Sequence, residues 1–447
     1  MQSTPNNISV LGTGYVGLVT GLCMAELGHK IITMDVNAEK IHDIQNGVSS
    51  IYERKIPELL NRHLGKNFFA TTSLHDAIMQ TDLTFIAVAT PFNEGQIDLT
   101  DIRKITAEVA AVIKLKSSWH LIVVKSTVIP GTTEEIILPI LEAVSGKKAG
   151  KDFGLCMNPE FLREGNAVQD FLEPDRIVIG GIDQKSIDVM SYAYAAFKNT
   201  KFICTNTKTA ELIKYASNSL FATMISFSNE IANLCAKTGS VDVMDVMQGV
   251  WSDKRISHRV QDEYILPGLV EYLKPGCGFG GSCFPKDLNA LVAFGKQHDQ
   301  DMPVLKAALA INEAQPLRML SYLARHYQDL ENVAIGILGI AFKPETNDTR
   351  SSPAFVVLDI LIQAKAKIFI YDPVVKTLAE KYKNKITFSA SLKDLISQVD
   401  AALIFTAWDE FKKLPDLITA NAREVLIIDG RRMLGKNSIK NYEGIGL

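Results

Sequence analysis

The chain has 447 residues, 47% of them hydrophobic and 22% charged, which is enough apolar material for more than one buried core and excludes disorder of the whole. Its formal net charge of -3 gives no global attraction to a polyanion, so no nucleic-acid partner is expected and any phosphate must be met by locally placed donors. The six cysteines, Cys23, Cys156, Cys204, Cys235, Cys277 and Cys283, show neither a CxxC pair nor a disulfide-framework spacing, which argues against a metal site and for thiols kept reduced in a cytoplasm.

No basic leader precedes an apolar segment, and no stretch approaches the ~18 unbroken apolar residues of a membrane helix. A soluble cytoplasmic protein with no membrane partner is expected. In chain order, apolar runs at Ile8–Leu11, Lys30–Met34, Leu83–Ala89 and Leu121–Lys125 alternate with helical stretches, and Phe153–Met157, Arg176–Gly180 and Phe202–Cys204 follow. That alternation predicts βαβ units and a parallel sheet covered on both faces. From Thr207 to about Lys237, apolar residues recur at helical spacing with no proline or glycine before Gly239, which predicts one long helix of roughly 45 Å. The βα rhythm returns at Val333–Ile340, Ile368–Tyr371, Ala401–Phe405 and Val425–Ile428. The expected architecture is α/β, with two Rossmann-like parallel-sheet domains (1–205 and 317–447) joined by a helical segment (206–316) that contains the long central helix.

Directly after the first run stand Gly12, Thr13, Gly14, Tyr15, Val16 and Gly17. In this fingerprint the first glycine makes a tight turn, the second admits a pyrophosphate to the backbone, and the third lets helix and strand pack closely. Asp35 ends the second run, where a carboxylate accepts ribose hydroxyls and repels a 2′-phosphate, so NAD is favoured over NADP; Lys40, nearby, pulls the other way. Thr90-Pro91 and Ser126-Thr127 follow strands at their carboxyl ends, where such sheets bind ligands, although plain turn chemistry would give the same residues.

Pro275 to Asp287 is a glycine-rich stretch ending in Cys283, Phe284, Pro285, Lys286 and Asp287, ahead of a helical run. Cys283 is thereby placed at a helix start, a position that favours the thiolate, with Asp287 one turn on; Cys277 is the rival thiol in the loop itself. Lys214 and Asn218, four apart on the long helix, share a face and can serve one oxygen, unless that face is simply solvated. Asn158 to Gly165 puts Glu160, Arg163 and Glu164 into a loop after a strand, where an ordinary charge cluster at a helix start is the plain alternative.

Taken together, GTGYVG (12–17), STVIPGTT (126–133), NPEFLREG (158–165), ELIKYASNS (211–219), GFGGSCFPKD (278–287), GIAFKPETNDTRSSP (339–353), YDP (371–373) and DGRR (429–432) resemble the nucleotide-sugar dehydrogenases of the UDP-glucose/GDP-mannose type over nearly the whole chain. The resemblance implies four-electron oxidation of UDP-glucose to UDP-glucuronate with NAD, an N-terminal NAD-binding Rossmann domain, a C-terminal UDP-sugar domain, and a homodimer formed through the central helix. It also implies a supply of UDP-glucuronate for polysaccharide or lipid modification.

By that resemblance Cys283 is the nucleophile, Lys214 and Asn218 stabilise oxyanions, Asp287 positions water, and Glu160 with Thr127 serves thioester hydrolysis. The implied cofactor residues are the 12–17 turn, Asp35, Lys40, Thr90, Pro91, Thr127, Glu164, Lys286 and Arg350. Implied substrate residues are Glu160, Phe161, Leu162, Arg163, Glu164, Lys214, Asn218, Arg255, Tyr272, Leu273, Lys274, Phe279, Gly280 and Lys343, with Arg431, Arg432 or both reaching in from a partner subunit. The segment His258 to Val270 is longer than the common pattern, which loosens the registration of Arg255. Ser282, where UDP-N-acetylmannosamine enzymes usually carry histidine, leans towards UDP-glucose. GDP-mannose oxidation and a non-catalytic nucleotide-sugar or NAD sensor are the alternatives; a sensor would be expected to have lost Cys283, Lys214, Asn218, Asp287 and Glu160.

Overall fold

The computed structural model describes residues 6–260, 263–420 and 424–447. The chain forms two compact units, Met1–Ser217 and Asn218–Leu447, and the boundary falls inside a helix of 32 residues, Thr207–Thr238. Its bounds lie within one residue of those expected, because a stretch without glycine or proline has nothing to stop the ladder until Gly239.

In the first unit, β1 (Asn7–Leu11), β2 (Lys30–Met34), β3 (Phe68–Thr71) and β4 (Leu83–Ile86) precede a small hairpin, β5 (Phe92–Asn93) and β6 (Gln96–Ile97). Then come β7 (His120–Val124), β8 (Phe153–Met157), β9 (Arg176–Gly181) and β10 (Lys201–Thr205). Apart from the hairpin these build one eight-stranded sheet in the order β10-β9-β8-β7-β4-β1-β2-β3. Successive residues alternate between two cores: Leu121, Val123 and Phe85 pack on one face with Leu18, Leu22 and Phe68, while Ile122, Val124 and Ile86 pack on the other with Ile102 and Val109. Burial on both faces explains why these strands read as continuous apolar runs.

The sheet departs from expectation in three ways. β8 and β9 pair antiparallel, with Cys156 opposite Gly181 and Met157 opposite Gly180. The Asn158–Gly165 loop uses up much of the link between them and leaves only the short helix Ala167–Leu172, so the chain turns back instead of crossing over. β4 stops at Ile86, short of the expected Ala89, where the chain leaves the ladder towards Thr90. β3, four residues at the sheet edge, carries no alternation to announce it.

In the second unit, the segment after His258 is a hairpin, β11 (His258–Val260) with β12 (Glu263–Ile265), followed by a 3-10 turn at Gly268–Leu273. Gln261 and Asp262, within the long segment noted above, lie outside the described residues. β13 (Ala334–Leu338), β14 (Lys367–Tyr371), β15 (Thr387–Phe388), β16 (Ala401–Ile404), β17 (Leu426–Asp429) and β18 (Tyr442–Gly444) form an all-parallel sheet in the order β15-β14-β13-β16-β17-β18. The two short edge strands were not expected. After β13, Gly339 turns at a φ of 82°, where a Cβ would lie 2.3 Å from that of Thr406. Asp372, after β14, accepts the N–H groups of Ile340 and Ala341 at 2.8 and 3.2 Å.

Candidate active site

In the first unit the glycine turn joins β1 to helix Tyr15–Glu26. Gly12 has a φ of 101°, and a Cβ there would lie 2.7 Å from the carbonyl oxygen of Ala87; one on Gly17 would lie 1.9 Å from that of Gly12. Gly14 has nothing within 4 Å of the place a Cβ would fill, which leaves its backbone open to approach. These are the three requirements of a dinucleotide turn, so the residues present fit NAD. Asp35 accepts the N–H and hydroxyl of Thr13 at 2.8 and 2.7 Å and the N–H of Asn37 at 3.0 Å. Burial would raise its carboxyl, but these bonds and the Lys40 charge outweigh it and hold the group below the usual range. Asp35 is therefore an anion, as a ribose acceptor must be. Thr90 donates to the Thr127 carbonyl at 2.7 Å and so ties the two strand-end segments together; Val16 packs on the core and Pro91 is exposed.

The loop after β8 lies beside the start of the long helix. Glu160 and Lys214 are both buried and form an ion pair at 2.9 Å, and Glu160 also accepts the Leu162 N–H at 2.6 Å. Burial alone would raise the Glu160 carboxyl; the Lys214 charge and hydrogen bond, Leu162 and the nearby Lys125 cation bring it below the ordinary value. Removing one member of such a buried pair costs roughly 3–5 kcal/mol. Arg163 grips Asp170 through two guanidinium bonds, at 3.0 and 2.6 Å. Phe161 lies under the Arg176 guanidinium at 3.9 Å, and Glu164 is half-buried. Sequence reasoning passed over Glu53, whose carboxylate meets the Tyr15 hydroxyl and accepts the Gly165 N–H at 2.7 Å, joining the glycine turn to this loop. It lies in a polar stretch with no periodicity, so nothing marked it.

In the second unit, half-buried Cys283 caps helix Phe284–Gln297, with proline in the first turn. Its carbonyl accepts the Asp287 N–H at 2.8 Å, one turn on. Asp287 is buried and receives Asn218 at 2.7 Å and Lys286 at 2.5 Å. Lys214 and Asn218 are thus both buried, not on a solvated face, and each is engaged by its own carboxylate. Cys277 is fully buried and directs its thiol at the Phe405 carbonyl, 3.7 Å away; burial pushes that thiol up, which disfavours it as a nucleophile. A Cβ on Gly280 would lie 2.2 Å from the Ser351 carbonyl oxygen, so only glycine fits there.

Tyr272 stacks on Phe221 at 4.3 Å, Leu273 is buried, and Phe279 meets Phe284 edge-on at 5.9 Å. Arg255 and Lys274 pair with Asp253 and Glu271, each at 2.6 Å, near the surface. Lys343 lies over the Phe342 ring, and Arg350 pairs with Asp348 at 2.7 Å. Arg431 donates to the carbonyls of Phe405, Gly278 and Phe342, whereas the Arg432 side chain is buried against Asp242 at 2.9 Å.

A mostly parallel sheet opening on a glycine turn, with an ionised acid after its second strand, defines a dinucleotide-binding protein. Residues 6–198, 208–314 and 336–436 match, in turn, the NAD binding, central and UDP binding domains of one family, and the chain belongs to it: the UDP-glucose/GDP-mannose dehydrogenase family. It is 37% identical over 444 residues to UDP-glucose 6-dehydrogenase AglM of Haloferax volcanii, covering 98% of this chain and 99% of that protein. It is 35% identical over 448 residues to UDP-glucose 6-dehydrogenase TuaD of Bacillus subtilis, covering 98% and 93%. Among solved structures, a UDP-glucose dehydrogenase from Pyrobaculum islandicum superposes with a TM-score of 0.89 at 36% identity, covering 100% of this chain and 98% of that one. A GDP-mannose dehydrogenase from Pseudomonas aeruginosa gives 0.55 at 31%, covering 99% and 100%.

Proposed function

We propose that this chain oxidises the C6 alcohol of UDP-glucose to the carboxylate, with Cys283 as covalent nucleophile. The observation that carries the reading is the half-buried Cys283 at the start of a proline-led helix, with buried Asp287 one turn on. NAD supplies the hydride acceptor for two successive steps. In the first, C6 loses a hydride and its hydroxyl proton. The Cys283 thiolate then adds to the aldehyde, and Lys214 and Asn218 stabilise the alkoxide, an interaction worth roughly 3–4 kcal/mol per well-placed donor. The thiohemiacetal loses a second hydride and its hydroxyl proton to become a thioester. Water, oriented by Asp287 and deprotonated by Glu160 with Thr127 beside it, breaks the C–S bond, releasing the carboxylate and the thiolate.

On this reading 1–205 binds NAD, 206–316 carries the thiol and the dimer contact, and 317–447 holds the UDP-sugar. The roles implied for the remaining residues are part of the proposal. A homodimer through the long helix is supported by Leu212, Leu220, Phe227 and Leu234, exposed apolar residues spaced eight, seven and seven apart on that helix. Among the described residues no helix is long and apolar enough to cross a membrane, which is compatible with the proposed cytoplasmic location.

The deciding experiment is NADH formed per UDP-glucose consumed, with limiting sugar and excess NAD. About two is expected for oxidation through to the acid. A ratio near one would end the thioester route, and turnover of GDP-mannose faster than UDP-glucose would overturn the substrate.

A further inference from the structure

Lys125 takes no part in the chemistry above, yet it is a buried cation beside it. It follows β7, and its ammonium meets only neutral oxygens: the Asn158 side chain at 2.8 Å, the Asn158 carbonyl at 3.4 Å and the Tyr194 hydroxyl at 3.5 Å. Phe85 and Phe171 present their rings at 5.6 and 6.0 Å. Among the described residues no carboxylate lies within ion-pair distance of it. An unpaired buried cation is unfavourable for folding, so the charge of Lys125 calls for a reason other than stability.

That group is Glu160. Asn158, held by Lys125 and donating to the Val178 carbonyl at 2.8 Å, stands two residues before it in the same turn. The charged groups acting on one another here are Lys125 from the end of β7, Glu160 from the loop and Lys214 from the long helix; Tyr194, from the turn after helix Gln184–Ala193, and Cys23, from the first helix, are the neighbouring titratable groups. Two cations act on one carboxylate, so the cluster carries one net positive charge.

We propose that Lys125 is a positioning residue: it fixes the Asn158–Glu160 turn and adds its charge to that of Lys214 in favouring the Glu160 carboxylate, so that Glu160 is ready to take a proton while Lys214 keeps its own charge. Burial lowers the Lys125 ammonium to about 8, the Glu160 charge opposing this and Lys214 adding to it, so its support weakens as pH rises through that value. The catalytic consequence rests on the function proposed above; the effect on Glu160 does not.

The test is Lys125→Met, which keeps the length of the side chain and removes the charge, beside Lys125→Arg and wild type. Each is followed by carbon NMR titration of labelled glutamate, with Glu160→Gln to assign the signal, and by the pH profile of NADH formation and a thermal melt. We expect the Glu160 midpoint to rise by about one pH unit in Lys125→Met, with its melting temperature unchanged or higher. The acidic limb of kcat should move up with it, and kcat should fall by about tenfold. Lys125→Arg should restore the midpoint. An unmoved Glu160 signal in folded Lys125→Met overturns the proposal, as does a loss of melting temperature that Arg fails to rescue. If wild type oxidises no nucleotide sugar, the function falls, and the titration still decides the role of Lys125.

Discussion

Cys283 and Cys277 stand six residues apart in one glycine-rich stretch and face opposite chemical fates. One caps a helix, half-buried; the other is sealed under Phe405. Cys283→Ala should therefore abolish release of acid while leaving the melting temperature within a few degrees. Cys277→Ala should keep the reaction and lose stability, by about 1–3 kcal/mol for a small buried side chain. Acid-product assay and denaturant unfolding of both variants check this, and the reverse pattern would exchange their roles. The helix start at Cys283 was legible, because proline and glycine bracket it. The commitments of Lys214 to Glu160 and of Asn218 to Asp287 were not, because spacing tells which residues share a face and not which distant carboxylate each meets.

At the scale of elements, the long helix is fastened by Glu211 to the start of the π-helix Thr132–Ile137, which runs into helix Leu138–Ser145. It accepts the Gly131 N–H at 2.6 Å, the Thr133 N–H at 2.8 Å and the Thr133 hydroxyl at 2.6 Å. Burial raises its carboxyl to about 7, against the pull of those bonds and with help from Glu134. An acid with a raised folded-state pKa binds more protons folded than unfolded. Its contribution is thus greatest below the ordinary value of 4.5 and is lost as pH rises through about 7. Melting temperature against pH should show that fall in wild type and a flatter curve in Glu211→Gln, a difference on the order of a few kcal/mol between the two ends. Parallel curves would mean that Glu211 does not titrate there. The helix itself was plain in the sequence, and the short edge strands β3, β15 and β18 were not. A strand of two to four residues owes its place to the neighbour it pairs with and leaves no period to read.

For the whole molecule, the proposed dimer makes a concrete demand on the stripe of Leu212, Leu220, Phe227 and Leu234. Phe227→Glu with Leu234→Glu should shift the mass in solution to that of one chain, measured by light scattering, while circular dichroism stays unchanged. A wild-type mass of one chain would remove the dimer from the proposal. The two sheets also share a device: a strand, a left-handed glycine, a helix, a second strand, and an aspartate that reaches back to the residues after the glycine. In the first sheet this is Gly12 with Asp35, and in the second Gly339 with Asp372. Asp35 remains partly open, whereas Asp372 is 1% exposed and also takes the Trp408 indole N–H at 3.3 Å. The same arrangement therefore leaves one aspartate with an accessible edge and seals the other like a rivet. Loss of the carboxylate should then weigh differently at the two positions. Asp35→Ala should let NADP compete in a turnover assay while the protein stays folded; Asp372→Ala should show itself in the melting curve, whatever cofactor is offered.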